Sequence, residues 1–242
     1  MKSFWLAMQF MTRFPTPTLV DIQPENMGSA VHYFPAVGLL IGLLLVTVAQ
    51  LSIWLPSDIV AMLVLAFWAW VTGGLHLDGV ADTADGWLGG VGNKEHALEI
   101  MKDSQIGAAG GIALLIVLLM KWLVLSYMID AQLWLVLLVT PLFARVASSA
   151  LMLCTNYVRE HGVAEQMVSH LNRKLIFLWV SAAAIFLVLI HPGLLVGMAA
   201  VWLWLRWLMI HITGGMTGDT AGAMIEIMEI AFMLLMLKVF IW

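Results

Sequence analysis

Long apolar runs separated by short polar breaks set the architecture of this chain. From Tyr33 to Ser57 no charged residue occurs in 25 positions, enough helix to cross a bilayer with some tilt. Further apolar runs cover Ile59 to Leu75, Gly107 to about Met128, Leu133 to Leu153, Leu175 to Ile190, Leu194 to Ile212 and about Ala221 to Ile241. Turns are predicted at Pro56-Ser57-Asp58, at Asp130 and at His191-Pro192-Gly193. The pattern predicts an all-α fold, a polytopic membrane helical bundle of about seven transmembrane helices. Gly38 and Gly42 in the first run form a small-xxx-small pair, which predicts close packing against another helix.

Ahead of that run, residues 3–11 carry Phe4, Trp5, Met8 and Phe10 between Lys2 and Arg13, the pattern of a short helix lying in the membrane interface. Pro15 and Pro17 end it, so residues 1–30 read as an interfacial arm. No signal peptide is expected, because no small-residue cleavage site follows the short apolar stretch after Lys2. The whole chain, 1–242, reads as a single membrane-embedded domain.

Composition agrees: 62% hydrophobic and 11% charged residues with a mean hydropathy of +0.98 exclude a soluble globular class. The 11 basic residues are scattered and the net charge is -4, so nucleic acid is not an expected partner; the lipid bilayer is. The single cysteine, Cys154, excludes an internal disulfide and a cysteine metal cluster, and is expected to pack as a small hydrophobe.

The chemistry lies in the polar breaks. His76 to Gly86, HLDGVADTADG, puts Asp78, Asp82 and Asp85 at i, i+4 and i+7, one face of a helix, with small residues between them. Three stacked carboxylates repel one another. A solvated acidic face would tolerate that, but next to a membrane-length run a hard cation such as Mg²⁺, shared with a substrate phosphate, is the stronger expectation. Gly73 and Gly74 loosen the preceding helix, which puts the acids at a membrane boundary. Asp103 follows Asp85 by eighteen residues and returns to the same site if residues 89–104 fold over the acidic face.

A second break, Gly214-Gly-Met-Thr-Gly-Asp-Thr220, cannot continue a regular helix comfortably, and freed backbone N–H groups there can point at an anion. Gly214, Gly215, Thr217 and Gly218 are therefore candidate substrate contacts, with Asp219 as the loop's carboxylate. Glu226 lies seven residues further on a similar face and is a further candidate substrate contact, and it and Glu229 are acids inside the last run. Arg145, in mid-span, must face the bundle and meet an anion; with Arg13 and Lys102 it is a candidate phosphate contact. His76, or a carboxylate not committed to metal, is the candidate proton acceptor. His32, His96, His161, His170 and His191 lack metal-site spacing and read as interfacial or loop residues.

With seven spans, residues 76–106, the hydrophilic segment 155–174, the GGMTGDT loop and the N-terminal arm share one side. That side collects Lys2, Arg13, Lys94, Lys102, Arg159, Arg173 and Lys174, while the other holds Lys238. The positive-inside rule makes it cytoplasmic, N-terminus included, in a bacterial inner membrane.

GGLHLDGVADTADG, EIMKDSQIGAAGG, the early Phe10-Met-Thr-Arg-Phe-Pro-Thr-Pro17 and the late GGMTGDTAGAMIE resemble the cobalamin synthase family, the adenosylcobinamide-GDP ribazoletransferases. The likeness covers nearly the whole chain. It implies a membrane-bound, Mg²⁺-dependent transferase that joins α-ribazole or its 5′-phosphate to adenosylcobinamide-GDP, releasing GMP in the last steps of cobalamin biosynthesis. It implicates Asp78, Asp82, Asp85, Asp103 and Asp219, with catalytic segments at 76–106 and 213–229. On this reading Asp78 and Asp82 bind metal, Asp85 or Asp103 completes the shell, and Asp85, Asp103, His76 and Asp219 are the candidate catalytic groups. A homo-oligomer or a complex with other corrinoid enzymes is compatible with it.

A CDP-alcohol phosphotransferase is the chemical rival, but its motif needs Ala-Arg after the second Asp-Gly, where this chain has Val80-Ala81-Asp82 after Gly79. A prenyltransferase would need a DDxxD or NDxxD box. A cation-coupled transporter would explain Arg145, Arg206 and Glu226, but transport sites lie near the midplane and these aspartates sit at one edge.

Overall fold

A computed structural model describes residues 1–159 and 162–240. Glu160 and His161 in the hydrophilic segment, and the expected end of the last run at Ile241, lie outside the described residues. The regular structure is helical, in the order α1 (Lys2–Met11), α2 (Pro24–Ala30), α3 (Phe34–Ala49), α4 (Ser57–Thr72), α5 (Leu75–Gly89), α6 (Lys94–Ile100), α7 (Ala108–Asp130), α8 (Trp134–Cys154), α9 (Val163–Ser169), α10 (Arg173–Ile190), α11 (Pro192–Thr213) and α12 (Gly218–Phe240).

Among the described residues five helical stretches are long and apolar enough to cross a membrane: Pro24–Ile53, which joins α2 and α3 through 3-10 turns, and α7, α8, α10 and α11. α4 reaches that length only together with α5, and the two are bent apart by 87° at Gly73-Gly74. The remaining run of the about seven expected is α12, 23 residues long, which is the central helix and packs on α5, α7, α8 and α11. The core is continuous from Leu6 in α1 to Leu237 in α12. α10 and α11 face outward over most of their length, as helices bathed in lipid would.

Close backbone approaches hold the bundle together. Gly38 and Gly42 meet α8, where an added Cβ would stand 2.6 Å from the Pro141 carbonyl oxygen and 1.9 Å from that of Leu138. The small-xxx-small pair therefore works as expected, because only a missing side chain permits that separation. The N-terminal helix is more firmly seated than an interfacial helix needs to be: Leu6, Ala7, Met8 and Met11 are buried against the bundle, and Phe4 stands edge-on to Tyr33 at 5.8 Å. Cys154 corrects its expectation, since it is exposed at the end of α8 beside an apolar groove between α8, α10 and α11.

Candidate active site

The bend at the end of α4 creates the site. Gly73 (φ 70°) and Gly74 (φ 71°) both adopt the left-handed conformation that favours glycine, so the helix stops and restarts in a new direction. α5 then runs across the N-terminal turns of α12. Its small residues permit contact between backbones: a Cβ on Gly79 would lie 2.4 Å from the Asp219 carbonyl oxygen, and one on Gly222 3.2 Å from the His76 Cα. Two stretches 134 residues apart in sequence, ending at Asp85 and beginning at Asp219, are joined in this way.

On the exposed side of this contact, Asp78 is open to solvent and Asp82 and Asp85 are half-buried. Partial burial, then the charges of Asp78 and Asp219, push the Asp82 carboxyl up to about 7, with Asp85 adding to the effect and Arg159 opposing it. Asp219 is held by Arg159, whose Nη1 donates to its Oδ2 at 2.7 Å. Arg159 reaches it because residues 156–158 lie alongside the glycine loop: Met216 N–H donates to the Asn156 carbonyl at 2.9 Å and Val158 N–H to the Met216 carbonyl at 3.0 Å. Sequence reasoning left Arg159 unassigned, since this pairing is purely tertiary.

Asp85 has a different environment. Its carboxylate accepts the Gly107 and Gly110 N–H groups, both at 2.8 Å, and so caps α7. Asp103 returns over α5 as expected and lines a cleft of about 360 Å³ with Asp85. It is exposed, and its carboxylate accepts the Gln105 N–H at 3.0 Å. Among the described residues no three His, Cys, Asp or Glu side chains converge as metal ligands, so Asp78, Asp82, Asp85 and Asp103 do not form a ready-made cage. The chemistry of the set still fits Mg²⁺: all its donors are oxygen, Asp82 feels the charges of Asp78, Asp219 and Asp85 with Arg159 opposing them, and this ion is ordinarily held by one or two carboxylates together with substrate phosphates.

The glycine loop is only partly open. Gly214, which ends α11 at φ 83°, and Gly218 are exposed, and nothing lies within 4 Å of a Cβ on Gly218. Gly215 is closed off by Asn156 and Val158. Thr217 is buried and corrects its reading as a substrate contact: its hydroxyl accepts the Thr220 N–H at 3.1 Å, while the Thr220 hydroxyl accepts the Thr217 N–H at 2.8 Å. The pair caps α12. Lys94, also unassigned from sequence, reaches the loop at Gly214.

Of the basic candidates, Arg13 and Lys102 are exposed, and the Arg13 side chain lies over Gly73 at the bend. Arg145 and Glu226 are corrected. Both are within the bundle, in a four-charge network: Lys121 donates to Glu226 and Glu229, and Arg145 donates to Glu229. None of the four is more than 3% exposed, so they serve one another and not a substrate phosphate. Lys121 also sits 4.4 Å from the Trp68 ring centroid. His76 borders the network, with Nδ1 3.5 Å from Arg145 Nη2. A guanidinium can only donate, so in this long contact Nδ1 is the accepting atom. His76 thus stands at the edge of the network and in the wall of the neighbouring cavity.

Residues 3–237 match the protein-family model described as cobalamin-5-phosphate synthase. The chain is 41% identical over 235 residues to an adenosylcobinamide-GDP ribazoletransferase of Pseudomonas putida, covering 97% of this chain and 98% of the relative. Proteins of the same name from Acinetobacter baumannii (39% over 238 residues, 96% of each chain) and Pseudomonas fluorescens (40% over 238 residues, 97% and 98%) are similarly close. No solved structure matches the chain.

Proposed function

Because the chain belongs to the cobalamin-5-phosphate synthase family, a family of membrane enzymes, we propose that it transfers the phosphocobinamide group of adenosylcobinamide-GDP to α-ribazole or its 5′-phosphate. The observation that carries this reading is the meeting of the α5 aspartates with Asp219 and Arg159, an open acidic cluster fed by both ends of the chain. A ribose hydroxyl of the acceptor attacks the phosphorus bound to the cobinamide alcohol. A new ribose O–P bond forms, the bridging P–O bond breaks, GMP leaves with the electron pair, and the hydroxyl proton passes to a carboxylate or water.

Such a step needs charge neutralised on the nonbridging oxygens and the nucleophile held in line. Mg²⁺, held by Asp78 and Asp82, supplies that neutralisation when bound. Arg159 and Lys94 are the cations near enough to meet phosphate oxygens at the glycine loop. Asp85 fixes the start of α7 and thereby the loop that carries Asp103. The excess of basic residues on this side supports a cytoplasmic active site in the inner membrane, where a nucleotide-activated substrate is available.

The test is direct. Purified protein with adenosylcobinamide-GDP, α-ribazole and Mg²⁺ should release GMP in step with formation of the joined corrinoid, and neither should form when the ion is chelated. Intact substrate after prolonged incubation of folded protein would refute the assignment.

A further inference from the structure

Beside the acidic cluster, a cavity of about 470 Å³ opens between α1, α3, α5, α8, α9 and α12. Its walls include Phe10, Met11, Phe34, Met152, Met167 and Ile225. Two polar groups in it are deeply buried: Ser148, 1% exposed, and His76, 4% exposed. Arg159 and Asp219, about a quarter exposed, stand at its outer side. The Ser148 hydroxyl is buried with no hydrogen-bond partner among the described residues, and the His76 ring lines the same cavity with its Nδ1 3.5 Å from Arg145 Nη2. A buried hydroxyl in that state costs about 1–3 kcal/mol and is ordinarily satisfied, so it points to a ligand that accepts.

We propose that this cavity is the acceptor-nucleoside subsite, taking a planar, largely apolar base that carries one ring-nitrogen acceptor, and delivering its ribose to Asp219 and Arg159. The inference rests on the function proposed above and selects which substrate the cavity holds. Its volume lies at the small end of ligand pockets, about 300–1,000 Å³, which suits a nucleoside and is far too small for a corrin ring. Guanine is the other planar group in the reaction, but it presents several donors and acceptors along its edge. Against the aromatic and methionine walls most of them would go unpaired, at a large cost in binding. A benzimidazole has methyl-bearing carbon on one side and a single unprotonated nitrogen on the other, matching an apolar wall with Ser148 as the donor. With the base so placed, the ribose emerges beside the acids, where the hydroxyl must attack.

The experiment measures KM separately for each substrate in purified, lipid-embedded protein. Ala164, half-buried on α9, lines the cavity, so Ala164→Trp should fill it and raise the KM for α-ribazole at least tenfold while leaving that for adenosylcobinamide-GDP unchanged. Ser148→Ala should raise the KM for α-ribazole several-fold and leave unchanged that for the matching indole riboside, which has C–H in place of the accepting nitrogen. A merely structural serine would shift both ribosides equally. If Ala164→Trp fails to fold, the Ser148→Ala comparison still decides. An equal shift for both ribosides, no shift, or a rise in the corrinoid KM instead would overturn the subsite. In each of those cases wild-type protein still releases GMP; absence of GMP release from wild type would instead overturn the parent function.

Discussion

Replacing Gly79 by Ala probes the contact on which the site depends. The added Cβ would stand 2.4 Å from the Asp219 carbonyl oxygen, and that atom is backbone, so no side chain can swing away. Restoring an ordinary separation requires α5 and the start of α12 to part by about 1 Å, a misplacement that can cost on the order of 100-fold in rate. Stability should suffer less. Overpacking costs about 1–3 kcal/mol, and removing a glycine from a helix interior returns up to about 1 kcal/mol, for a net loss of about 0–3 kcal/mol. Gly111→Ala in α7, where nothing lies within 4 Å of the new Cβ, is the control and should leave turnover unchanged. GMP release per folded molecule, with thermal unfolding measured alongside, separates the two effects. Wild-type turnover in well-folded Gly79→Ala protein would show that the α5–α12 contact does not position the reacting groups.

Asp82→Asn should lower turnover by at least a hundredfold yet raise the unfolding temperature in Mg²⁺-free buffer, because it removes a charge crowded by Asp78, Asp219 and Asp85; a variant that is both active and no more stable contradicts this. Lys121→Met strands the buried Glu226 carboxylate and leaves Glu229 with Arg145 alone, and should cost about 3–5 kcal/mol in an unfolding titration. Adding Glu226→Gln should recover part of that loss, and wild-type stability in the single variant would sink the account of the network. Thr217→Val should cost about 1 kcal/mol through the lost cap while turnover per folded molecule stays within about twofold; a large fall in turnover would return Thr217 to the substrate contacts. An accessibility label at residue 171 should react from the cytoplasmic side and one at residue 132 from the opposite side. Labels reacting from the same side would mean that the spans have been miscounted.

The sequence made the helices legible because membrane helices must satisfy their own backbone and so appear as uninterrupted apolar runs. It also located the bend, since Gly73-Gly74 stands where a charge-free run meets three aspartates, and it put Asp103 and Asp85 side by side. Partners brought together only by the tertiary fold were not legible. Nothing local indicates that Tyr157 and Met216 lie alongside each other, so Arg159 could not be assigned to Asp219. Arg145 was correctly expected to meet an anion, but that anion is Glu229 and not a substrate phosphate. Thr217 was misread because a glycine-rich break that binds phosphate and one that caps a helix draw on the same residue types.

The charges in this membrane protein fall into two sets, and the difference between them is what distinguishes scaffold from site. Lys121, Arg145, Glu226 and Glu229 are two cations and two acids, almost completely buried and bonded to one another. Their charge cancels, so they hold α7, α8 and α12 in register without needing a ligand, and breaking any pair leaves an uncompensated charge where water cannot reach it. Asp78, Asp82, Asp85 and Asp219 form the second set, half-open to water and opposed by Arg159 alone among the charges that bear on Asp82. Folding by itself leaves that set negative. An excess of negative charge retained at a solvent-accessible junction of two chain segments is costly unless a cation is recruited there, and a cation bound at such a junction can draw a diphosphate after it. Between the two sets lies His76, with Nδ1 facing Arg145 of the neutral network and its ring bordering the cavity beside Asp219. The closed set thus orients a residue in the wall of the open one, so a structural ion network and the neighbouring cavity share a side chain.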